Sequence, residues 1–72
     1  MNESDKSANS RFVIFCLEAY KRHTKLDGAA AADLFVDLGV VDYLTDGYEV
    51  LHTWGEAALV EDIADFIRRR KG

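Results

Sequence analysis

Val40-Val41-Asp42-Tyr43-Leu44-Thr45-Asp46-Gly47-Tyr48-Glu49-Val50-Leu51-His52-Thr53-Trp54 is the stretch on which the fold class turns. Asp46-Gly47 is a common two-residue hairpin turn, and Val40, Val41, Tyr43, Tyr48 and Val50 around it favour strands. A short hairpin over 40–54 would make the chain α+β. The apolar spacing points elsewhere. Val41, Leu44, Tyr48 and Leu51 follow at steps of three, four and three, a helical period that leaves Asp42, Asp46, Glu49 and His52 toward solvent. This predicts two short helical turns around residues 40–52, broken near Gly47. A glycine truly inside a helix costs about 1 kcal/mol relative to alanine. The expected class is all-α: a compact bundle of three main helices plus these turns, with the hairpin as the alternative.

Upstream, Asp27 is placed to cap a helix over about 28–38, and Gly39 stands where a left-handed C-terminal residue is expected. Ala31, Leu34, Phe35 and Leu38 form its apolar face, and Asp33 and Asp37 lie opposite. The alanines permit close helix approach. A further helix is expected to start near Ser10, with Phe12, Phe15, Cys16, Ala19 and Tyr20 on one face, widened by Val13 and Leu17. Ile14 falls outside this face, among the charges. So wide an apolar arc implies contact with more than one neighbour. Residues 1–8 lack apolar periodicity and are expected to form a disordered leader, with 9–72 a single helical domain.

Downstream, Thr53-Trp54-Gly55-Glu56 matches a capping box and predicts a helix over about 54–70. Leu59, Val60, Ile63, Phe66 and Ile67 supply its apolar stripe. Its acidic start and basic end, Arg68-Arg69-Arg70-Lys71, suit the helix dipole.

A chain of 72 residues makes one domain, and a domain of that size buries only about 60% of the surface its unfolded chain exposes. A deep substrate cleft is not expected. With 49% hydrophobic and 31% charged residues the composition is globular. One cysteine, Cys16, excludes an internal disulfide framework and suits a reducing cytoplasm. The longest apolar run, Phe12 to Leu17, is far short of the roughly 20 residues that cross a bilayer, so no membrane association is expected.

Charge placement says more than the net charge of −4. Every Lys and Arg lies at or before Lys25, or at Arg68 and beyond. Between them stand Asp27, Asp33, Asp37, Asp42, Asp46, Glu49, Glu56, Glu61, Asp62 and Asp65. Such a surface repels nucleic-acid phosphates and favours a basic protein partner through salt-sensitive encounter. The basic tail lacks the interleaved aromatics of a nucleic-acid site, so none is expected.

Chemistry is harder to find. Cys16 lies on the apolar side of its helix, away from any activating base. His23 and His52 have no i, i+4 partner for a metal, although His52 turned outward could hydrogen-bond to Glu61 or Asp62. Asp42 to Thr53 resembles a calcium loop only through Asp42, Asp46 and Gly47, because Leu44 and Thr53 stand where oxygen ligands are needed. Carboxylate pairs such as Glu61 and Asp62 are too abundant to single one out. No catalytic, cofactor or metal site is expected. Trp54, Tyr43 and Tyr48 read equally well as core or as an aromatic interface anchor.

Tyr20, Leu26-x-Gly28, Leu34-Phe35, Gly39-Val40, Asp42-Tyr43-Leu44, Tyr48, Leu51-His52-Thr53-x-Gly55 and Val60-Glu61-Asp62-Ile63 resemble, in order and spacing, a small bacterial family known as domain of unknown function 3791. The resemblance covers roughly residues 12–68. It brings no established activity and no catalytic residues. It implies a neighbour-encoded partner similar to an ADP-ribosyltransferase, and so an antitoxin-like inhibitory or chaperoning role. Trp54 and Ala57-Ala58-Leu59 depart from the family pattern, where less bulky polar and more aromatic residues respectively are expected, which bears on partner choice. The expectation is a non-catalytic protein-binding module whose contacts are Asp42, Asp46, Tyr48, Glu49, His52 and Trp54. A homo-oligomeric structural or regulatory module, a homodimer burying Ile14, is the alternative.

Overall fold

The computed structural model describes the backbone of residues 2–71 and the side chains of residues 8–71. Its elements are α1 (Asn2–Thr24), α2 (Gly28–Asp37), α3 (Val40–Asp46), α4 (Tyr48–Leu51) and α5 (Glu56–Lys71), with no strand among the described residues. The class is all-α, and the segment 40–54 is the pair of short helices, not the hairpin.

Helix boundaries follow local chemistry. The Asp27 carboxylate accepts the Ala30 N–H at 2.8 Å and starts α2. Gly39, at φ 76°, ends it, a left-handed conformation that strains residues with a Cβ. The Gly39 carbonyl then accepts the Tyr43 N–H at 3.0 Å, so α3 begins at once. Gly47 divides α3 from α4: its N–H bonds to the Tyr43 carbonyl at 3.0 Å, and its carbonyl accepts the Leu51 N–H at 2.8 Å. A Cβ there would fall 2.9 Å from Leu51 Cδ1, so the glycine also makes room for a buried leucine.

Three expectations are corrected. The backbone is helical from Asn2, not from near Ser10. The leader expected over 1–8 falls mainly on residues whose side chains lie outside the described ones. The capping box does not form: Thr53 Oγ1 donates back to the Val50 carbonyl at 2.8 Å, closing α4, and the Glu56 carboxylate is taken by α1. Helix α5 accordingly starts at Glu56, two residues after the expected start, with the Gly55 carbonyl accepting the Leu59 N–H at 3.0 Å. Phe15, placed on the apolar face by the helical wheel, is 44% exposed. The neighbours of α1 approach from the side of Phe12, Cys16, Ala19 and Tyr20, which are buried, and of Val13 and Leu17, which pack against them.

The wide apolar arc of α1 does serve several neighbours, namely α5, α2 and α3. At 23 residues this helix is about 35 Å long, close to the longest dimension of the molecule, 37 Å. Lys25, in a left-handed conformation at φ 63°, ends it, its N–H bonded to the Lys21 carbonyl at 2.7 Å. The core comprises Phe12, Cys16, Ala19 and Tyr20 of α1, Ala31 and Phe35 of α2, Val40 and Leu44 of α3, Leu51 of α4, and Leu59, Val60, Ile63 and Ile67 of α5. No polar or charged side chain among the described residues is buried with them. Apolar burial is thus the main source of stability.

Candidate functional site

The carboxylates divide into those used within the fold and those left outward. Glu56, at the start of α5, receives a hydrogen bond from Arg22 at 2.7 Å, and His23 Nε2 lies 3.1 Å from the same oxygen. These two groups of α1, Arg22 foremost, hold the Glu56 carboxyl below its usual 4.5. Asp65 is bridged by Arg68 at 2.7 Å and Arg69 at 2.6 Å. Asp62 accepts a 2.5 Å hydrogen bond from the Tyr43 hydroxyl. That bond, with desolvation and repulsion from the Asp62 charge, pushes the Tyr43 phenol from 10.0 to about 12. Tyr43 also stacks on Phe66 at 4.4 Å, and the Arg70 guanidinium sits 4.8 Å from the centre of the Phe66 ring. Much of the basic tail is thereby engaged within α5.

Asp42, Asp46 and Glu49, on α3 and α4, are exposed and enter no ion pair among the described residues. Val40 and Leu44 are the buried positions of α3, and Asp42 and Asp46, one turn apart, lie on its opposite side. Asp46, Tyr48 and Glu49 line one cleft with Asn9, Thr45, Gly47 and Val50. Tyr48 is half-buried, its ring meeting Phe12 edge-on at 5.4 Å. His52 stacks on the other side of this aromatic pair, 4.5 Å from the Tyr48 ring, and its Nδ1–H donates to the Tyr48 carbonyl at 2.7 Å. The hydrogen bond from His52 to Glu61 or Asp62 is therefore not made: the α4 turn captures the imidazole first, and Asp62 belongs to Tyr43.

Trp54 stands apart from this group. It is 40% exposed and lines a different cleft with Ala58, Glu61, Asp62, Asp65 and Arg68. Five of the six expected contacts thus lie on α3, α4 and the turn just after α4, while the sixth borders α5. A third cleft was not anticipated as a unit: Asn9, Ser10, Val13, Ile14, Val41 and Thr45 line it between α1 and α3. Its signal in the sequence was Ile14, 57% exposed, the residue that broke the helical pattern.

Burial raises the Cys16 thiol to about 11, which keeps it protonated at neutral pH. Among the described residues no group of three or more His, Cys, Asp or Glu side chains is placed to hold a metal ion. No described helix is long and apolar enough to cross a membrane.

A small all-α domain with an outward acidic face on α3 and α4 is the class that fold and site define. The chain belongs to the family described as protein of unknown function (DUF3791), whose model matches residues 11–70. No curated protein and no solved structure matches it.

Proposed function

We propose that this protein is a small non-catalytic binding module for another, basic protein, engaged through the acidic face of α3 and α4. The observation that carries this reading is the division of the carboxylates. Glu18, Glu56 and Asp65 are matched by cations of the same chain, whereas Asp42, Asp46 and Glu49, like Asp33, Asp37 and Glu61, have none among the described residues, and of these Asp46 and Glu49 share one cleft with Tyr48. Unmatched surface charges of one sign raise the encounter rate with a partner of the other sign and discriminate against wrong partners. Tyr48, with His52 stacked on it, supplies a rigid aromatic body beside those charges. The family resemblance makes a neighbour-encoded, ADP-ribosyltransferase-like protein the first partner to seek, with an antitoxin-like role in the cytoplasm of a bacterium.

The test is a tagged pull-down from the native cell at low and moderate salt. The expected result is one basic protein, lost at moderate salt and lost when Asp42, Asp46 and Glu49 are changed to lysine. Recovery of a partner indifferent to both salt and those substitutions overturns the acidic-face reading.

Self-association is the second reading, favoured by the exposure of Ile14 and Phe15, 57% and 44%. A salt-insensitive dimer in light scattering would move it to first place.

A further inference from the structure

We propose that the cleft between α1 and α3 is a docking groove for an amphipathic helix of another protein, one that carries lysine or arginine beside its apolar face. The inference rests on the binding-module reading and specifies where and what that module binds. Two packed helices with a furrow between them, lined by Val13, Ile14 and Val41, offer the kind of surface into which a third helix lays its apolar stripe. The furrow is open to solvent and has a volume of about 460 Å³. Ile14 lies more than half exposed at its edge, where a solvated isoleucine gains most from being covered.

The charge of the occupant follows from what adjoins the furrow. Asn9 and Thr45 line both it and the neighbouring cleft, so the two adjoin, and the second is bordered by Asp46 and Glu49. Asp42 lies one helical turn before Asp46 on the same side of α3. An apolar furrow that adjoins carboxylates with no ion pair among the described residues suits a helix whose apolar stripe is flanked by cations.

A second copy of this chain is poorly suited to supply them, because its cations outside any ion pair or ring contact among the described residues, Arg11, Lys25 and Lys71, stand on α1, just after it and at the last residue of α5, not in a row along one helix. Lys21, Arg22, Arg68 and Arg69 are paired internally, and Arg70 lies over Phe66. The Trp54 cleft is a weaker candidate for a cationic helix, since Asp62 and Asp65 are already engaged there and Arg68 lines it.

The probe is a synthetic helix of about 18 residues, with leucines at i, i+3, i+4 and i+7 and lysines between, titrated into the isotopically labelled protein. A peptide with glutamate in place of lysine serves as its control. The expected result is saturable binding of the lysine peptide alone, with amide shifts concentrated at Ser10, Val13, Ile14, Val41 and Thr45. Ile14→Ser, at an exposed position that the fold does not need, weakens it about tenfold. Asp46→Asn with Glu49→Gln weakens it and flattens its salt dependence. Val36→Ser, at another exposed valine on α2, changes nothing. Absence of saturable binding, shifts centred on Trp54 and Glu61, or a dimer that Ile14→Ser dissolves would each overturn the groove.

The native pull-down separates this failure from failure of the wider reading. A partner still captured by Ile14→Ser but lost when Asp42, Asp46 and Glu49 are changed to lysine leaves the module standing and the groove wrong. A peptide that binds the groove when no native partner is captured does the reverse.

Discussion

Helix α5 and the α3–α4 segment both carry several carboxylates, and they spend them differently. On α5, Glu56 is fastened to α1, Asp62 to Tyr43 of α3, and Asp65 to the arginines one turn on, which leaves Glu61 alone exposed without an ion pair among the described residues. On α3 and α4, Asp42, Asp46 and Glu49 meet no cation among the described residues. Glu56 and Asp62 tie α5 to α1 and α3, and Asp65 fixes the arginines of its own helix; the second set is a surface held outward by the apolar residues behind it. Net charge therefore describes neither region. What matters is whether each carboxylate already has a partner.

The largest expected break in this comparison is in the core beneath it. Ile63→Ala on the inner face of α5, where the side chain is fully buried, is expected to cost about 2–5 kcal/mol, whereas Val50→Ala on the outer side of α4 should change stability by less than about 0.5 kcal/mol. Chemical denaturation of both variants checks the contrast. A smaller effect separates the carboxylates themselves. Tyr43→Phe, which leaves Asp62 without its donor, should cost about 1 kcal/mol, while Asp46→Asn should be neutral or slightly stabilising by relieving repulsion with Asp42.

The same hydrogen bond sets an alkaline limit. The Tyr43 phenol titrates at about 12 in the fold against 10.0 ordinarily, so the folded state favours its protonated form. That contribution is fully present below pH 10.0 and is lost as pH rises through about 12. The free energy of unfolding measured across this window should fall more steeply for the native chain than for Tyr43→Phe. Smallest is the acid limb. Glu56 is held below 4.5, so its contribution is present above pH 4.5 and fades as pH falls through its lowered value. Glu56→Gln should remove that part of the acid dependence, and added salt should mask the difference because the pair is solvent-screened.

Much of the architecture was legible because burial here has a period. Val41, Leu44, Tyr48 and Leu51 outweighed Asp46-Gly47 as a hairpin signal, since their spacing is helical and Gly47 serves the approach of Leu51 instead. Asp27 and Gly39 delimit α2 as read, because capping depends on the cap's own side chain and backbone. Thr53 misled for the opposite reason. Its hydroxyl, which in a capping box accepts from a backbone N–H, instead donates to the Val50 carbonyl, and the glutamate that should have answered it was within reach of Arg22 across the fold. Phe15 misled because a helical wheel shows how wide an apolar arc is, not from which side its neighbours arrive. Of the expected contacts, Asp42, Asp46, Tyr48, Glu49 and His52 cluster because they are close in sequence. The placement of Trp54 on a separate cleft, and the furrow lined by Ile14 and Val41, depend on how α5 and α3 lie against their neighbours, which no local pattern encodes.

Cys16 lies at the centre of α1 with no exposed surface. A thiol so enclosed meets an alkylating reagent only when the surrounding core has opened, so its labelling rate at neutral pH is the intrinsic thiol rate scaled by the fraction of molecules open at any instant. The one sulfhydryl of this chain is thus a built-in clock for the breathing of its core, legible by mass without attaching any probe.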